Sequence, residues 1–165
     1  MKSDTRRNKI MDCCSSGVKM SKEAPQNDCH GCGETGRPVS RQTVFHHVKS
    51  EKLSSVADEE YKFCSSPNCA VVYYAASGQV FTVDDVRELV TSKTSGNSRP
   101  LCYCFGFTEG FARREIAQTS KSSVSKQVSQ FIKEKLCSCE IRNPSGVCCL
   151  GEINKTLKRL ASQID

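Results

Sequence analysis

The chain has 165 residues, enough for one or two small domains. Twelve of them are cysteine, with no tryptophan, 37% hydrophobic residues and a formal net charge of +6. No apolar run approaches the roughly 20 residues of a membrane helix, so membrane insertion is excluded, and a single large core is not expected. The basic N-terminus lacks the apolar segment and small-residue cleavage site of a secretory signal. A cytoplasmic location is therefore expected, where thiols at short spacings are metal ligands or redox groups rather than disulfides.

The charge has to be read with those thiols in mind. Four thiolates around Zn²⁺ and four around an oxidised two-iron cluster would each contribute about −2, leaving the loaded chain near +2 by that arithmetic. A nucleic-acid partner is not expected: residues 29–97, which carry the Cys-x2-Cys motif of a zinc ribbon, hold seven basic and eight acidic residues and so offer no basic stripe.

Residues 1–28 are polar, lack apolar periodicity and surround the pair Cys13-Cys14, the pattern of a flexible cysteine-containing arm. The segment 29–97 opens on Cys29-His30-Gly31-Cys32-Gly33. Ser40 is a helix cap for a run that places Val44 and Val48 four residues apart on one face. Val71–Ala76 and Gln79–Phe81 read as two strands across Ser77-Gly78. Thr82-Val83-Asp84-Asp85 has the form of a capping box ahead of a short helix bearing Val86, Leu89 and Val90. Thr91 to Pro100 is a polar linker closed by proline and holds the domain boundary. In 98–165, helices are expected after Thr108, from Ser123, and over Leu150, Ile153, Leu157, Leu160 and Ile164. The fold class is thus α+β: a small metal-bound domain with a β-hairpin and short helices, then a small helical domain.

Cys29-x2-Cys32 and Cys64-x4-Cys69 bracket thirty-one residues, a separation that lets the second pair return to the first. Four soft thiolates suit tetrahedral zinc, which would staple a domain too small to build much core. His46 and His47 are competing ligands, and buried or redox thiols are the alternative for the quartet. Further on, Cys102-Tyr103-Cys104, Cys137-Ser138-Cys139 and Cys148-Cys149 supply six thiols around helix termini. A four-thiolate [2Fe-2S] cluster is an anion that gains from helix N-terminal N–H groups, and Thr108 and Cys149 stand at expected helix starts. No catalytic triad, paired-carboxylate site, P-loop or dinucleotide fingerprint occurs, and the chain is not expected to be an enzyme.

The segment Cys102-x-Cys104-Phe105-Gly106-x-Thr108, with cysteine pairs thirty-odd residues on, resembles the bacterioferritin-associated-ferredoxin-like [2Fe-2S] domain. The fuller run through Cys137-x-Cys139-Glu140 and Asn143-Pro144-Ser145-Gly146-x-Cys148-Cys149-Leu150-Gly151 is similar to the iron–sulfur-binding metallochaperone family typified by CopZ copper chaperones. The similarity extends upstream through Cys29-x2-Cys32-Gly33 and Phe63-Cys64-x2-Pro67-x-Cys69-x-Val71-Val72-Tyr73. The resemblance covers about 29–160. It implies one zinc, one [2Fe-2S] cluster, a soft metal ion such as Cu(I) as cargo, and a metal-exporting P-type ATPase or other metal-resistance protein as partner.

The family's Met-x-Cys-x2-Cys copper loop does not occur in these 165 residues, which makes Cys13 and Cys14 the substitute candidates for the transferred metal. For the cluster, the expected ligands are Cys102, Cys104, Cys139 and Cys149, with Cys137 and Cys148 as alternates. Cys149 directly precedes the Leu150 helix, and Cys139 faces it across the Asn143–Gly146 turn. The alternative function is a small [2Fe-2S] electron-transfer partner docking through the basic C-terminal part, with eleven basic and six acidic residues from Arg99 onward.

Overall fold

The computed structural model describes residues 28–163. The expected arm lies outside them except for Asp28, which bridges to Thr35. The N-terminal half is built on a four-stranded antiparallel sheet in the order β1 (Arg37–Val39), β2 (Tyr61–Phe63), β3 (Val71–Ala75), β4 (Val80–Thr82). The hairpin expected from Val71 to Phe81 is β3 and β4, with Tyr73 opposite Phe81 and a register irregularity beside Val71. β3 is buried along its whole length. Val72 and Tyr73 belong to the main core, while Val71 and Tyr74 pack around Cys29, Cys64 and Cys69.

Helix α1 (Arg41–His47) begins where Ser40 predicts, the Ser40 hydroxyl accepting the Thr43 N–H at 3.1 Å. Its Val44, and Val48 just beyond it, are fully buried against Tyr61, Phe63, Val72 and Phe81, each contributing roughly 1.5–2 kcal/mol of apolar burial.

The expected helix after Thr82 does not form. The box itself closes, the Asp85 carboxylate accepting the Thr82 N–H and hydroxyl, both at 2.9 Å. The chain then passes through a turn and a bend instead, because Val86 bridges to Val48 and the Arg87 N–H donates to the His47 carbonyl at 2.8 Å. Those donors finish the C-terminal end of α1, which tertiary pairing favours over a free-standing turn of helix.

The polar stretch from Thr91 to Pro100 is an ordered connection. Its Thr91 hydroxyl donates to the Pro100 carbonyl, Arg99 Nε donates to the Thr91 carbonyl, and Lys93 reaches back to two carbonyls of the Cys64–Cys69 loop. β5 (Pro100–Cys102) then pairs with β6 (Phe107–Thr108) around the turn holding Cys104 and Gly106, the glycine at φ 68°. α2 (Glu109–Thr119) is capped by the Thr108 hydroxyl, which accepts the Phe111 N–H. α3 (Val124–Lys133), the four-residue α4 (Cys139–Arg142) and α5 (Leu150–Ala161) follow. α2 and α3 pack on α5 around Leu101, Ala112, Ile116, Val128, Ile153 and Leu160. Glu109, 2% exposed, sits under this layer and accepts from Arg113 at 2.6 Å and Arg159 at 2.9 Å, with Arg99 at 3.4 Å.

The two halves meet where α1 packs on α4. Three side chains of the sheet half donate to carbonyls of α4 and the turn after it: Thr43 Oγ1 to Glu140 at 2.6 Å, His47 Nε2 to Ile141 at 3.1 Å and Tyr73 Oη to Pro144 at 3.0 Å. Tyr103 ties the other way, donating to the Leu89 carbonyl at 2.9 Å and accepting the Thr91 N–H.

Candidate metal centres

Cys29 and Cys32 lie on a tight turn that follows the Asp28–Thr35 bridge. The N–H groups of Cys32 and Gly33 donate back to the Cys29 carbonyl at 3.3 and 2.7 Å, with Gly33 at φ 73°. A positive φ suits glycine, which has no Cβ to clash. Gly31 is required for another reason: a Cβ there would stand 2.9 Å from Cys69 Sγ and 2.9 Å from Val71 Cγ2. Cys64 leaves β2 with its N–H on the Val72 carbonyl, and Cys69 closes a turn just before β3. Lys93 Nζ fixes that turn, donating to the Ser66 and Cys69 carbonyls at 2.8 and 2.9 Å.

The four sulfurs of Cys29, Cys32, Cys64 and Cys69 lie within 4.8 Å of one another, the one such convergence among the described residues. Cys29 Sγ is 3.8 Å from Cys69 Sγ and Cys32 Sγ 3.7 Å from Cys64 Sγ. A tetrahedron with Zn–S bonds of 2.3 Å has edges of about 3.8 Å, so the donor set fits a zinc ion. Glu34's backbone N–H holds the exposed Cys32 thiol down to about 7, while burial pushes Cys64 up to about 12 and also raises Cys69. A cation is therefore needed to draw the protons off Cys64 and Cys69 near neutral pH.

Neither competing histidine joins this quartet. His47 is 1% exposed, spends Nε2–H on Ile141 and has Nδ1 3.7 Å from Glu88. Burial first, then its charged neighbours, lower it to about 4, so it is neutral at pH 7. His46 stacks edge-on against it.

In the C-terminal half Cys102 ends β5, Cys104 sits in the β5–β6 turn, Cys139 opens α4 and Cys149 occupies the position before α5. Their thiols form two pairs. Cys104 Sγ is 3.9 Å from Cys139 Sγ, and the Cys149 thiol hydrogen-bonds to Cys102. Backbone N–H groups are aimed at three of the four sulfurs: Ser138 at Cys104 at 3.4 Å, Cys104 and Phe105 at Cys102, and Cys149 at Cys139. The Cys149 bond holds Cys102 down to about 7, burial pushes Cys139 up to about 12, and Cys149 is raised chiefly by giving its proton to Cys102. Of the two alternates, Cys137 is half-buried against the same core and Cys148 is exposed. Cys13 and Cys14 lie outside the described residues.

Sequence reasoning missed Lys93 and the amides of Ser138 and Phe105. Backbone donors carry no side-chain signature, and Lys93 stands in a stretch that reads as linker.

A four-thiol zinc-type site and a second group of amide-bonded thiols on one small frame define a metal-binding protein. Residues 26–87 match the zf_CopZ family, described as a zinc binding domain. The chain is 30% identical over 147 residues to the copper chaperone CopZ of Archaeoglobus fulgidus, covering 83% of this chain and 70% of that protein. The X-ray structure of the A. fulgidus CopZ N-terminal domain superposes with a TM-score of 0.64 at 30% identity, over 78% of this chain and 95% of that one. This chain belongs to the CopZ copper-chaperone family.

Proposed function

We propose that this protein is a cytoplasmic metallochaperone that binds and transfers a soft metal ion, Cu(I) foremost, and holds two resident centres. Zinc would be structural, on Cys29, Cys32, Cys64 and Cys69, and a [2Fe-2S] cluster would sit on Cys102, Cys104, Cys139 and Cys149. The division proposed is an arm over 1–28, a zinc domain over 29–97 and a helical cluster domain over 98–165. The transferred ion would use Cys13 and Cys14, and a metal-exporting P-type ATPase would receive it. No helix among the described residues is long and apolar enough to cross a membrane.

One observation carries the cluster reading. Two thiol pairs, one with its sulfurs 3.9 Å apart and the other hydrogen-bonded, have backbone N–H groups directed at three of their sulfurs. Such donors stabilise anionic sulfur in a half-buried site and raise the potential of a cluster held there. When bound, the cluster would supply one-electron redox chemistry. The chain's own residues orient the four sulfurs at the core that Phe105, Phe107 and Leu150 pack against.

The test is iron, acid-labile sulfide and zinc counted per chain on anaerobically purified protein, with its visible spectrum. Two iron, two sulfide and one zinc with visible charge-transfer bands support the reading. A colourless protein with zinc alone that resists cluster reconstitution removes the cluster.

A further inference from the structure

A cleft of about 810 Å³ lies between the two halves, within the size range of small-molecule sites. One wall is the strand end at Gly36 and Arg37 with Phe63, Ser65 and Pro67. The other is the Asn143–Ser145 turn, Cys148, Cys149 and the first turns of α5, with Ser92 and Arg99 between them. Three features of this cleft have no role in the fold.

The first is Cys148, which is exposed and on the cleft wall beside Cys149. The second is a pair of exposed cations, Arg37 and Lys155, one from each half. Arg99, by contrast, is spent on Glu152, Glu109 and Thr156. The third is the Ser92 hydroxyl, a buried atom on the cleft lining with no hydrogen-bond partner, a condition that costs about 1–3 kcal/mol unless something satisfies it.

We infer that this cleft is the entry site for the metal cargo, taking a soft metal ion as its complex with an anionic low-molecular-weight thiol, with Cys148 as the exchanging ligand. The inference rests on the metallochaperone reading above. A Cu(I) ion among thiols travels as a thiolate complex, because soft ligands hold it. A bis-thiolate complex of a carboxylate-bearing peptide thiol is an anion that Arg37 and Lys155 attract. The Cys148 sulfur then bonds to Cu(I) while one carrier thiolate departs, taking the proton that Cys148 gives up. Copper stays Cu(I), no electron moves, and charge is conserved: a neutral thiol and a complex anion yield a protein-bound anion and a neutral carrier thiol. The ion is thereby delivered next to Cys149, at the edge of the second thiol group.

The experiment is anaerobic stopped-flow transfer to full-length protein from two donors, Cu(I)–glutathione and Cu(I)–acetonitrile, followed by equilibrium competition with a chromogenic Cu(I) chelator. All proteins carry Cys13→Ser and Cys14→Ser so that only cleft transfer is read. Cys148→Ser is expected to slow transfer from both donors at least tenfold while leaving iron content and visible spectrum unchanged. Arg37→Glu with Lys155→Glu is expected to slow transfer from Cu(I)–glutathione about tenfold and leave transfer from Cu(I)–acetonitrile within twofold.

Wild-type rates in Cys148→Ser, or an equal effect of the charge reversal on both donors, would overturn the inference and leave the chaperone reading standing. Loss of iron in Cys148→Ser would overturn it by making Cys148 a cluster ligand. A parent with Cys13 and Cys14 intact that takes up no Cu(I) from either donor would overturn the chaperone reading itself, and this inference with it.

Discussion

Replacing Tyr73 with phenylalanine removes one oxygen and nothing else from a fully buried position. That oxygen donates to the Pro144 carbonyl at 3.0 Å across the junction of the two halves. Burial pushes the phenol well above its ordinary value, so it is a neutral donor at every working pH. A neutral hydrogen bond contributes about 0.5–1.5 kcal/mol, and a carbonyl left unpaired in a dry site adds to the loss. The aromatic contacts of Tyr73 with Phe63 and His47 are retained by Phe. The expected cost is about 1–2 kcal/mol, or a fall in Tm of about 3–6 °C for a chain of this size. Thermal unfolding of metal-loaded protein, followed by circular dichroism, reads it. With the proposed cluster on Cys139 and Cys149, the same variant should release iron to a chelator faster, because Pro144 lies between those two cysteines. A Tm within 1 °C of wild type would refute the reasoning and mean that the junction carbonyl finds water or another donor.

Further outcomes follow from the same geometry. Gly31→Ala drives a Cβ against Cys69 Sγ and Val71 Cγ2, so zinc should be lost to a chelator at least several-fold faster, whereas Gly78→Ala, with nothing near its Cβ, should change stability through backbone strain alone, by about 1 kcal/mol. Burial opposes ionisation of Glu109, but Arg113 and Arg159 win and hold it below its ordinary 4.5. Its contribution is therefore present above pH 4.5 and lost as pH falls through the lower folded value. Glu109→Gln should lower stability by about 2–3 kcal/mol at pH 7, the buried-pair cost discounted for half-exposed Arg113 and Arg159, and flatten the acid limb of the stability curve. In metal-free protein, iodoacetamide should modify Cys32 with a midpoint near pH 7 and leave Cys64, pushed up to about 12, unmodified through pH 9. Mass spectrometry of peptides after a pH series decides this, and equal labelling of the two would contradict it.

The parts of the fold that were legible are those that one or two residues control locally. Ser40 and Thr108 cap the helices that follow them because each hydroxyl finds an N–H three residues on. The Val71–Thr82 hairpin follows from β-branched and aromatic runs across a glycine turn. What was not legible depends on distant partners. β1 and β2 are three residues each, too short for alternation to register, and exist because β3 gives β2 an edge to pair with and β2 in turn gives one to β1. Thr82–Asp85 carries a valid helix-start signal that Val48 and His47 override from the other side of the core. Thr91–Pro100 reads as a linker from polarity alone, although Lys93 and Arg99 are committed to carbonyls. At the candidate sites, cysteine spacing points to the first quartet, but the division among the six later thiols lies in backbone amide directions that no side-chain pattern encodes.

The three side chains that reach from the sheet half to the carbonyls of Glu140, Ile141 and Pro144 hold the segment that joins Cys139 to Cys149. Because all three donors stand on or beside elements packed around the first quartet's sheet, the two centres share a scaffold. Loosening any one of the three bonds is therefore expected to be felt at both groups of thiols at once.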